Sequence, residues 1–298
     1  MTADPTTRHE PAISLRAVSR EFRRPRTSLT QAPPVVHAVH DVSLEIAAGE
    51  RFGIVGESGS GKSTLLRLIA GLDRPTSGEV VIEGRPIHDQ SSRRLGWLRR
   101  RLQIVFQDPM SSLDPRMRVG DIVAEPLVGQ RIGDGPSRRA RVLELLEAVG
   151  LSAEAADRYP HQFSGGQRQR ISVARALAPN PDILLADEPV SALDVSVRAQ
   201  VLNLIDGVVE EFDLTLLFVS HDLSVVRHVC DRVAVMQRGE VVEVAPTEQL
   251  YADPQHPYTA ALLASVPRLD AALRGRSARD LAAQTAAAAR PTDLQESG

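Results

Sequence analysis

Residues 56–64 combine glycines, a lysine and hydroxyl side chains at a spacing suited to binding phosphate. They read Gly-Glu-Ser-Gly-Ser-Gly-Lys-Ser-Thr and fit the pattern G-x-x-x-x-G-K-[ST], with Gly56, Gly61, Lys62 and Ser63 at its fixed positions. Glycines let the backbone curl until consecutive N–H groups converge on phosphate oxygens, and a following helix adds partial positive charge. Lys62 is suited to reach the β- and γ-phosphates of a nucleotide, and the Ser63 hydroxyl to bind Mg²⁺. This phosphate loop therefore predicts a nucleoside triphosphate site.

The segments on either side of the phosphate loop support this interpretation. Before the loop lies the apolar run 52–55, and after it residues 65–70 are apolar at helical spacing. An ordinary glycine-rich turn before a helix is the alternative, but a loop that joins a buried strand to a helix is the context in which the pattern marks a site. The residues assigned to nucleotide binding are Gly56, Glu57, Ser58, Gly59, Ser60, Gly61, Lys62, Ser63 and Thr64.

Four polar residues each follow an apolar run that is predicted to form a strand: Gln107, Asp187, Glu188 and His221. The carboxyl ends of parallel strands meet at one edge of a sheet, where ligands bind. Asp187 is placed to hold Mg²⁺, directly or through water, and Glu188 to act as a general base on the attacking water. A helix cap after a strand is the alternative for the acidic pair, but the phosphate loop in the same chain favours the catalytic interpretation. Neither Gln107 nor His221 would indicate a site by itself; both are assigned to it because they occur together with the phosphate loop and the acidic pair.

Apolar strands alternate with amphipathic helices through the middle of the chain, which predicts a mainly parallel sheet covered on both faces. Strands are expected at residues 52–55, 104–106, 183–186 and 214–219, with a hairpin formed by 233–236 and 241–244. One helix is predicted to be capped by Ser137 and to present an apolar stripe of Ala140, Leu143, Leu146 and Val149. The basic run 93–101 is predicted to be a solvated helix face.

Phe22 is a lone aromatic residue after an N-terminal strand predicted over residues 13–18. It either packs against the core or stacks on an adenine ring. The sequence leaves both roles open.

The composition limits the classes of protein to which the chain can belong. Its 298 residues include 35 Lys and Arg against 38 Asp and Glu, a formal net charge of −3 that offers no electrostatic case for a nucleic-acid partner. The single cysteine, Cys230, excludes an internal disulfide and a cysteine-rich iron–sulfur site. No apolar stretch approaches the roughly twenty residues that cross a bilayer, and residues 1–10 lack the apolar region of a signal peptide. We therefore expect a cytosolic protein whose link to a membrane comes through other chains.

Residues 163–167, Phe-Ser-Gly-Gly-Gln, resemble the signature motif of ATP-binding cassette (ABC) transporter ATPases, with Phe163 where leucine is more usual. The family's other elements fall in order around it: Phe22, the phosphate loop, Gln107, the signature, Asp187 and Glu188, the D-loop Ser191-Ala192-Leu193-Asp194, and His221. The match covers roughly Ile13 to Pro267, and the joint occurrence of these motifs is highly specific.

The resemblance implies an α/β fold of the P-loop NTPase type, with a mainly parallel core sheet, an N-terminal antiparallel β subdomain and an inserted α-helical subdomain at about residues 108–178. It also implies that two cassettes close head-to-tail, so that each ATP lies between one phosphate loop and the partner's signature. The signature residues are then Phe163, Ser164, Gly165, Gly166 and Gln167, the catalytic residues are Glu188, His221 and Gln107, and the Mg²⁺ ligands are Ser63, Gln107 and Asp187. The resemblance also adds Phe22 to the residues expected to bind ATP. N–H groups that open a helix are suited to meet a γ-phosphate, which fits this arrangement.

A finer resemblance is to the ATPases of oligopeptide, dipeptide and nickel importers. Residues 106–115 look like their version of the glutamine loop, and residues 251–259 like their C-terminal His-Pro-Tyr extension. Some members carry iron–sulfur cysteines after this extension, whereas residues 266–298 here contain no cysteine. The resemblance implies an ATP- and Mg²⁺-dependent subunit that powers an importer of peptides or similar small solutes from the cytoplasmic face of the membrane. Its partners would be two membrane-spanning permease subunits, a second identical or similar cassette and a solute-binding protein.

The expected domains are a disordered N-terminus at 1–11, an ATPase domain at 12–247, the extension at 248–273 and a disordered Ala-rich tail at 274–298. An exporter ATPase is one alternative, and the His-Pro-Tyr segment argues against it. A soluble cassette acting on DNA or ribosomes would usually carry two fused cassettes, a long coiled coil or a basic face. A small-molecule kinase would leave the signature without a role.

Overall fold

A computed structural model gives the structure of the protein and describes residues 10–23, 35–91 and 93–265. Its strands are β1 (Ile13–Arg23), β2 (Val35–Ile46), β3 (Arg51–Val55), β4 (Ser77–Ile82), β5 (Arg85–Pro86), β6 (Leu102–Val105), β7 (Ile183–Asp187), β8 (Thr215–Ser220), β9 (Arg232–Gln237) and β10 (Glu240–Pro246). The predictions for residues 1–9, for the loop at 24–34 and for the tail at 274–298 lie outside the described residues.

The helices lie between and after these strands. They are α1 (Lys62–Ile69), α2 (Gly96–Arg101), α3 (Pro109–Ser112), α4 (Val119–Gly129), α5 (Gly135–Ala148), α6 (Gly165–Leu177), α7 (Val195–Glu211), α8 (Leu223–Val229), α9 (Thr247–Ala252) and α10 (Pro257–Ser265). Two short 3₁₀ helices, Ala153–Asp157 and Pro160–Gln162, lie between α5 and α6. No helix in the described part of the chain combines the length and the apolar character needed to cross a bilayer.

The central sheet has six strands in the order β10-β9-β3-β8-β7-β6. The pairs from β9 to β6 are parallel, and β10 runs antiparallel to β9. Phe52 on β3 and Phe218 on β8 are fully buried, and β8 is buried along its whole length. Strands covered on both faces read as continuous apolar runs, which is why the sequence revealed them. The predicted α/β fold with a mainly parallel core is confirmed.

A second sheet, in the order β2-β1-β4-β5, is antiparallel throughout. Ile13 on β1 pairs with Ile46 on one side and with Ile82 on the other. These three residues belong to the same buried cluster as Phe52 and the apolar face of α1. The N-terminal antiparallel subdomain implied by the family resemblance is therefore present, and it shares one hydrophobic core with the central sheet.

Helices α3 to α6 occupy the chain between β6 and β7, as the inserted helical subdomain requires. The prediction that Ser137 caps α5 is wrong. Asp134 is the N-cap, and Ser137 takes part in a reciprocal capping box three residues later. Pro136 is tolerated in the first turn because its missing N–H would have no partner within the helix there. The buried face is accordingly Val142, Leu145, Leu146 and Val149, and Ala140 is exposed.

Two further expectations for the segment before α3 need correction. β6 ends at Val105, and Phe106 lies one residue beyond the strand, with 38 % of its surface exposed. Arg101, which closes the basic run, is not simply solvated. It forms ion pairs with Glu83 at 2.9 Å and with Asp182 at 2.7 Å, which fix α2 to the end of β4 and to the turn before β7.

Candidate functional site

The phosphate loop connects β3 to α1, and its shape depends on two close backbone approaches. A Cβ atom on Gly56 would lie 2.2 Å from the Met236 carbonyl oxygen, and one on Gly61 would lie 2.2 Å from that of Ala38. Gly61 also has a φ of +107°, which side chains disfavour. Both positions therefore require glycine, and the loop is wedged between β2 and the end of β9.

Lys62 is the first residue of α1, and its side chain is buried. Its Nζ donates hydrogen bonds to the carbonyl oxygens of Gly56 at 2.7 Å and Glu57 at 2.8 Å, so the ammonium group lies over the loop. Burial lowers the pKa of Lys62 below its usual value, although the carboxylates of Glu188 and Asp187 act in the opposite direction. The loop thus presents a desolvated cation beside two acids.

Ser63 and Asp187 meet next to this cation. The Ser63 hydroxyl donates a hydrogen bond to Asp187 Oδ1 at 3.2 Å. Asp187 is the last residue of β7, so the sheet itself delivers the carboxylate to the start of α1. Burial raises the pKa of Asp187, and the Ser63 hydrogen bond and the Lys62 charge oppose that rise. The pair places two oxygen ligands suited to a hard cation in contact.

Glu188 is the point at which three strand ends converge. Its Oε2 accepts a hydrogen bond from Gln107 Nε2 at 3.3 Å and lies 3.1 Å from His221 Nδ1. Its backbone has a φ of +45°, an uncommon conformation for a residue with a side chain. The Glu188 N–H donates to the Val219 carbonyl at 2.9 Å, and its carbonyl accepts from the Ser191 hydroxyl at 3.1 Å. The geometry therefore aims the carboxylate at Gln107 and His221.

Phe22 lies on β1 opposite Val36, two residues from the Ala38 carbonyl that contacts the phosphate loop. Phe22 is 40 % exposed, and the Arg20 guanidinium lies 4.6 Å from the centre of its ring. An exposed aromatic side chain whose strand partner lies two residues from a loop contact is compatible with stacking on a base, and the role of Phe22 stays a prediction.

The signature residues open α6. Ser164 is the N-cap: its Oγ accepts from the Gln167 N–H at 3.3 Å, and Gln167 Oε1 accepts from the Ser164 N–H at 3.0 Å. Phe163 is buried, with the Arg158 guanidinium 4.4 Å from its ring centre. Among the described residues, no hydrogen bond or ion pair joins the signature to the phosphate loop of the same chain. The structure therefore gathers the phosphate loop with Asp187, Glu188, Gln107 and His221, and leaves the signature apart.

The D-loop, residues 191–194, connects Glu188 to α7. Asp194 caps α7 by accepting from the Val197 N–H at 3.0 Å, and the Leu193 carbonyl accepts from Arg198 at 3.4 Å. A Cβ atom on Gly165 would lie 3.5 Å from a Leu193 methyl group, so the D-loop also borders the signature. Ala192 is exposed.

Two residues that contact the site, Gln169 and Arg198, were not predicted from the sequence. Gln169, fully buried on α6, donates to the Phe106 carbonyl at 3.5 Å and so touches the residue next to Gln107. Arg198 on α7 forms an ion pair with Asp222 at 3.2 Å, beside His221. A glutamine on the apolar side of a predicted helix was the available signal for Gln169. Nothing in the local pattern distinguishes Arg198 from other surface arginines.

Comparison with known proteins identifies the family. The family profile described as ABC transporter matches residues 39–191. The chain is 49 % identical over 249 residues to the dipeptide transport ATP-binding protein DppF of Haemophilus influenzae, a match that covers 84 % of this chain and 76 % of that protein. The chain belongs to the ABC transporter family. The resemblance inferred from its motifs is confirmed, and the chain is an ATPase of the ABC type.

Other relatives give the same result for this cassette. It is 48 % identical over 263 residues to the oligopeptide transport ATP-binding protein OppF of Bacillus subtilis, covering 88 % of the cassette and 84 % of that protein. Residues 242–292 match the profile described as oligopeptide/dipeptide transporter, C-terminal region. A solved dimeric structure of the ATP-binding cassette MJ0796, in a post-hydrolysis state with ADP and Pi, superposes with a TM-score of 0.70 at 36 % identity, covering 79 % of this cassette and 98 % of that chain.

The two signature glycines of the cassette lend themselves to a matched test. A Cβ atom on Gly166 would lie 2.2 Å from a Val197 methyl group, whereas one on Gly165 meets only ordinary contact. We expect Gly166→Ala to lower the free energy of unfolding by about 1–3 kcal/mol through overpacking of α6 against α7. Gly165→Ala should leave it nearly unchanged. Urea unfolding of both variants measures the difference, and equal midpoints would show that α6 and α7 do not pack as described.

Proposed function

We propose that this cassette is the ATP-hydrolysing subunit of an importer for oligopeptides, dipeptides or similar small solutes. The observation that carries the proposal is the convergence of Gln107, Glu188 and His221 beside the Ser63–Asp187 pair, all next to the phosphate loop. The match of residues 242–292 to the C-terminal region of oligopeptide and dipeptide transporters supports import over export. The names of the relatives DppF and OppF support peptides as the solute class.

Mg²⁺ with ATP fits the residues of the site. Ser63, Asp187 and Gln107 offer hydroxyl, carboxylate and amide oxygens, the donors that Mg²⁺ takes. No group of three or more His, Cys, Asp or Glu side chains in the described chain is arranged to hold a metal unaided. Ser63, Asp187 and Gln107 would hold the ion together with the bound nucleotide. When bound, it neutralises charge on the phosphates during hydrolysis.

The residues of this chain supply binding, orientation and proton acceptance. Lys62 turns its ammonium group to the β- and γ-phosphates, and the loop N–H groups bind their oxygens. Glu188 accepts a proton from the water that attacks the γ-phosphorus, while the bond from that phosphorus to the bridging oxygen breaks and leaves ADP and phosphate. Gln107 and His221, both in contact with Glu188 Oε2, hold the carboxylate in place and border the γ-phosphate position.

The separation of the signature from its own phosphate loop supports a composite site. In the proposed dimer, the partner's Ser164, Gly165 and Gly166 bring the N-terminus of α6 to the γ-phosphate, where N–H groups stabilise negative charge. The solved structure of the MJ0796 cassette, a relative of this chain, is a dimer. The second cassette is either another copy of this chain or a similar one.

A groove of about 1080 Å³ fits the expected permease partner. It lies between α2, β6 and α4 and is lined by Leu72, Trp97, Phe106 and Arg175 among others. Phe106 precedes Gln107 directly, so a permease segment seated in the groove would contact the chain beside the hydrolysis site. Two such permeases would hold two cassettes at the cytoplasmic face of the membrane and connect them to an extracytoplasmic solute-binding protein. A net charge of −3 gives no reason to add a nucleic acid to these partners.

Lys62→Ala tests the phosphate loop. The substitution removes the cation over the loop, so ATP binding should weaken by at least tenfold and turnover should nearly vanish. Equilibrium ATP binding and phosphate release report the two effects. Wild-type hydrolysis by this variant would refute the assignment of the loop.

The pair Glu188→Gln and Ser164→Arg tests the composite site. Glu188→Gln keeps the shape of the side chain but cannot accept a proton, so ATP should persist and hold two cassettes together. Size exclusion should then show an ATP-dependent shift from monomer to dimer. Adding Ser164→Arg fills the space for the partner's γ-phosphate and should abolish the shift, while monomeric ATP affinity stays near its original value. Dimers that survive Ser164→Arg, or a collapse of affinity in the monomer, would contradict the role of the signature in the partner's site.

The groove can be tested by substituting Leu72, which lines it and is 53 % exposed. Leu72→Glu should strongly reduce recovery of permease subunits when the cassette is purified from solubilised membranes, because a charge would be placed against the seated segment. The basal ATPase activity of the isolated cassette should not change. Val244→Glu, a similar change at an exposed site on β10, is the control and should retain the permeases. Equal recovery from both variants would place the permease contact elsewhere.

A further inference from the structure

The described part of the C-terminal extension, residues 248–265, returns to the phosphate loop. Tyr258 on α10 accepts a hydrogen bond on its hydroxyl from the backbone N–H of Glu57, at 3.2 Å. Glu57 is the second residue of the loop, 201 positions earlier in the chain. The extension is therefore in direct contact with the nucleotide site.

The contact fixes one particular peptide group. The Glu57 N–H and the Gly56 carbonyl belong to the same planar amide. Lys62 donates to that carbonyl at 2.7 Å, and Tyr258 accepts from the N–H at the opposite end. The amide is thus held between the lysine expected to bind phosphate and the tyrosine of the extension.

This amide needs an external support. Gly56 has no side chain to restrict its rotation, and the Glu57 side chain is exposed. The Met236 carbonyl oxygen excludes a side chain at position 56. A larger residue there therefore cannot restrict the rotation of this amide by packing. A hydrogen bond to the N–H from outside the loop restricts the rotation without entering the space for phosphate.

Tyr258 is itself held in place by the extension. The Glu243 carboxylate on β10 accepts from the N–H groups of Gln255 at 2.9 Å and His256 at 3.0 Å. His256 Nδ1 in turn accepts from the Tyr258 N–H at 3.2 Å. Upstream, the Tyr251 hydroxyl donates to the Leu223 carbonyl and fixes α9 to the start of α8. The tyrosine is therefore presented from a supported turn.

We propose that Tyr258 is a positioning residue for nucleotide binding, which preorganises the Gly56–Glu57 amide and makes ATP affinity depend on the C-terminal extension. The proposal rests on the proposed role of the phosphate loop. A loop that is already ordered loses less entropy when it binds phosphate, so the Tyr258 hydrogen bond should increase the affinity for ATP. Any event that lifts the extension from the loop would then weaken nucleotide binding.

Tyr258→Phe tests the proposal by removing one hydroxyl. We expect the Kd for ATP and for ADP to rise about threefold to tenfold, the range of one neutral hydrogen bond. The KM for ATP should rise with it, while kcat at saturating ATP stays within about twofold because no group at the γ-phosphate is changed. Isothermal titration of the full chain and steady-state hydrolysis measure these values.

Tyr251→Phe is the matched control. It makes the same chemical change in the same extension and also removes a hydrogen bond to backbone, but that bond reaches α8 rather than the phosphate loop. It should lower the melting temperature and leave the Kd for ATP unchanged. Glu243→Gln provides a second test, because it weakens the support under Tyr258 and should raise the Kd in the same direction as Tyr258→Phe.

The outcomes separate the proposal from the function on which it rests. An unchanged Kd in Tyr258→Phe, with binding lost in Lys62→Ala, would overturn the role of Tyr258 and leave the phosphate loop assignment intact. An equal rise in Kd in Tyr251→Phe would also overturn it, since general loosening of the extension would then explain the effect. Wild-type binding by Lys62→Ala would refute the phosphate loop assignment and this inference with it.

Discussion

The contacts at Glu188 depend on the register of the parallel strands. Val55 pairs with Ser220, Asp187 with Val219, and Val105 with Ala186, so β3, β8, β7 and β6 end at nearly the same level. The residues that follow these ends are the phosphate loop, His221, Glu188 and Gln107. A shift of one residue in any pair would turn the side chains of that strand to the other face and break the contacts at Glu188 Oε2. The buried apolar runs that fix the register therefore also fix the geometry of the candidate site.

The same edge of the sheet connects the helical segment to the site. Gln107 leaves β6 toward α3, Gln169 on α6 holds the Phe106 carbonyl, and Arg175 on α6 donates to the Ser112 carbonyl at 2.5 Å. Burial lowers the pKa of Arg175, as expected for a cation withdrawn from water to hold backbone. The helix that begins with the signature is thus bonded to the segment that carries Gln107. In the proposed assembly, a permease in contact with Phe106 and the partner's nucleotide at the signature would both act on these bonds of Gln169 and Arg175.

The sequence supported a correct prediction of the fold and of the strand-end residues, because parallel strands are long apolar runs and their ends follow from the runs. The predictions were wrong for the burial of Phe106 and for the N-cap of α5, which both depend on the folded surroundings. Phe106 is exposed because it lies beyond the end of β6. The N-cap of α5 is Asp134, whereas the sequence pointed to Ser137, the other member of the same capping box. The contacts of Tyr258 with Glu57 and of Gln169 with Phe106 join residues far apart in the chain. No periodicity within one element encodes such pairs, so only the folded arrangement reveals them.

The backbone conformation of Glu188 depends in part on a contact with the D-loop. A positive φ on a residue with a side chain costs on the order of 1–3 kcal/mol and persists only where neighbours stabilise it. Here the Val219 carbonyl and the Ser191 hydroxyl each provide a hydrogen bond, typically worth about 0.5–1.5 kcal/mol, so together they about balance that cost. Ser191 belongs to the D-loop, whose Leu193 borders the signature residue Gly165. The D-loop therefore connects the Glu188 backbone, through Ser191, to the start of α6, through Leu193. In the proposed dimer, a partner cassette that displaces the D-loop would act on Glu188 through Ser191.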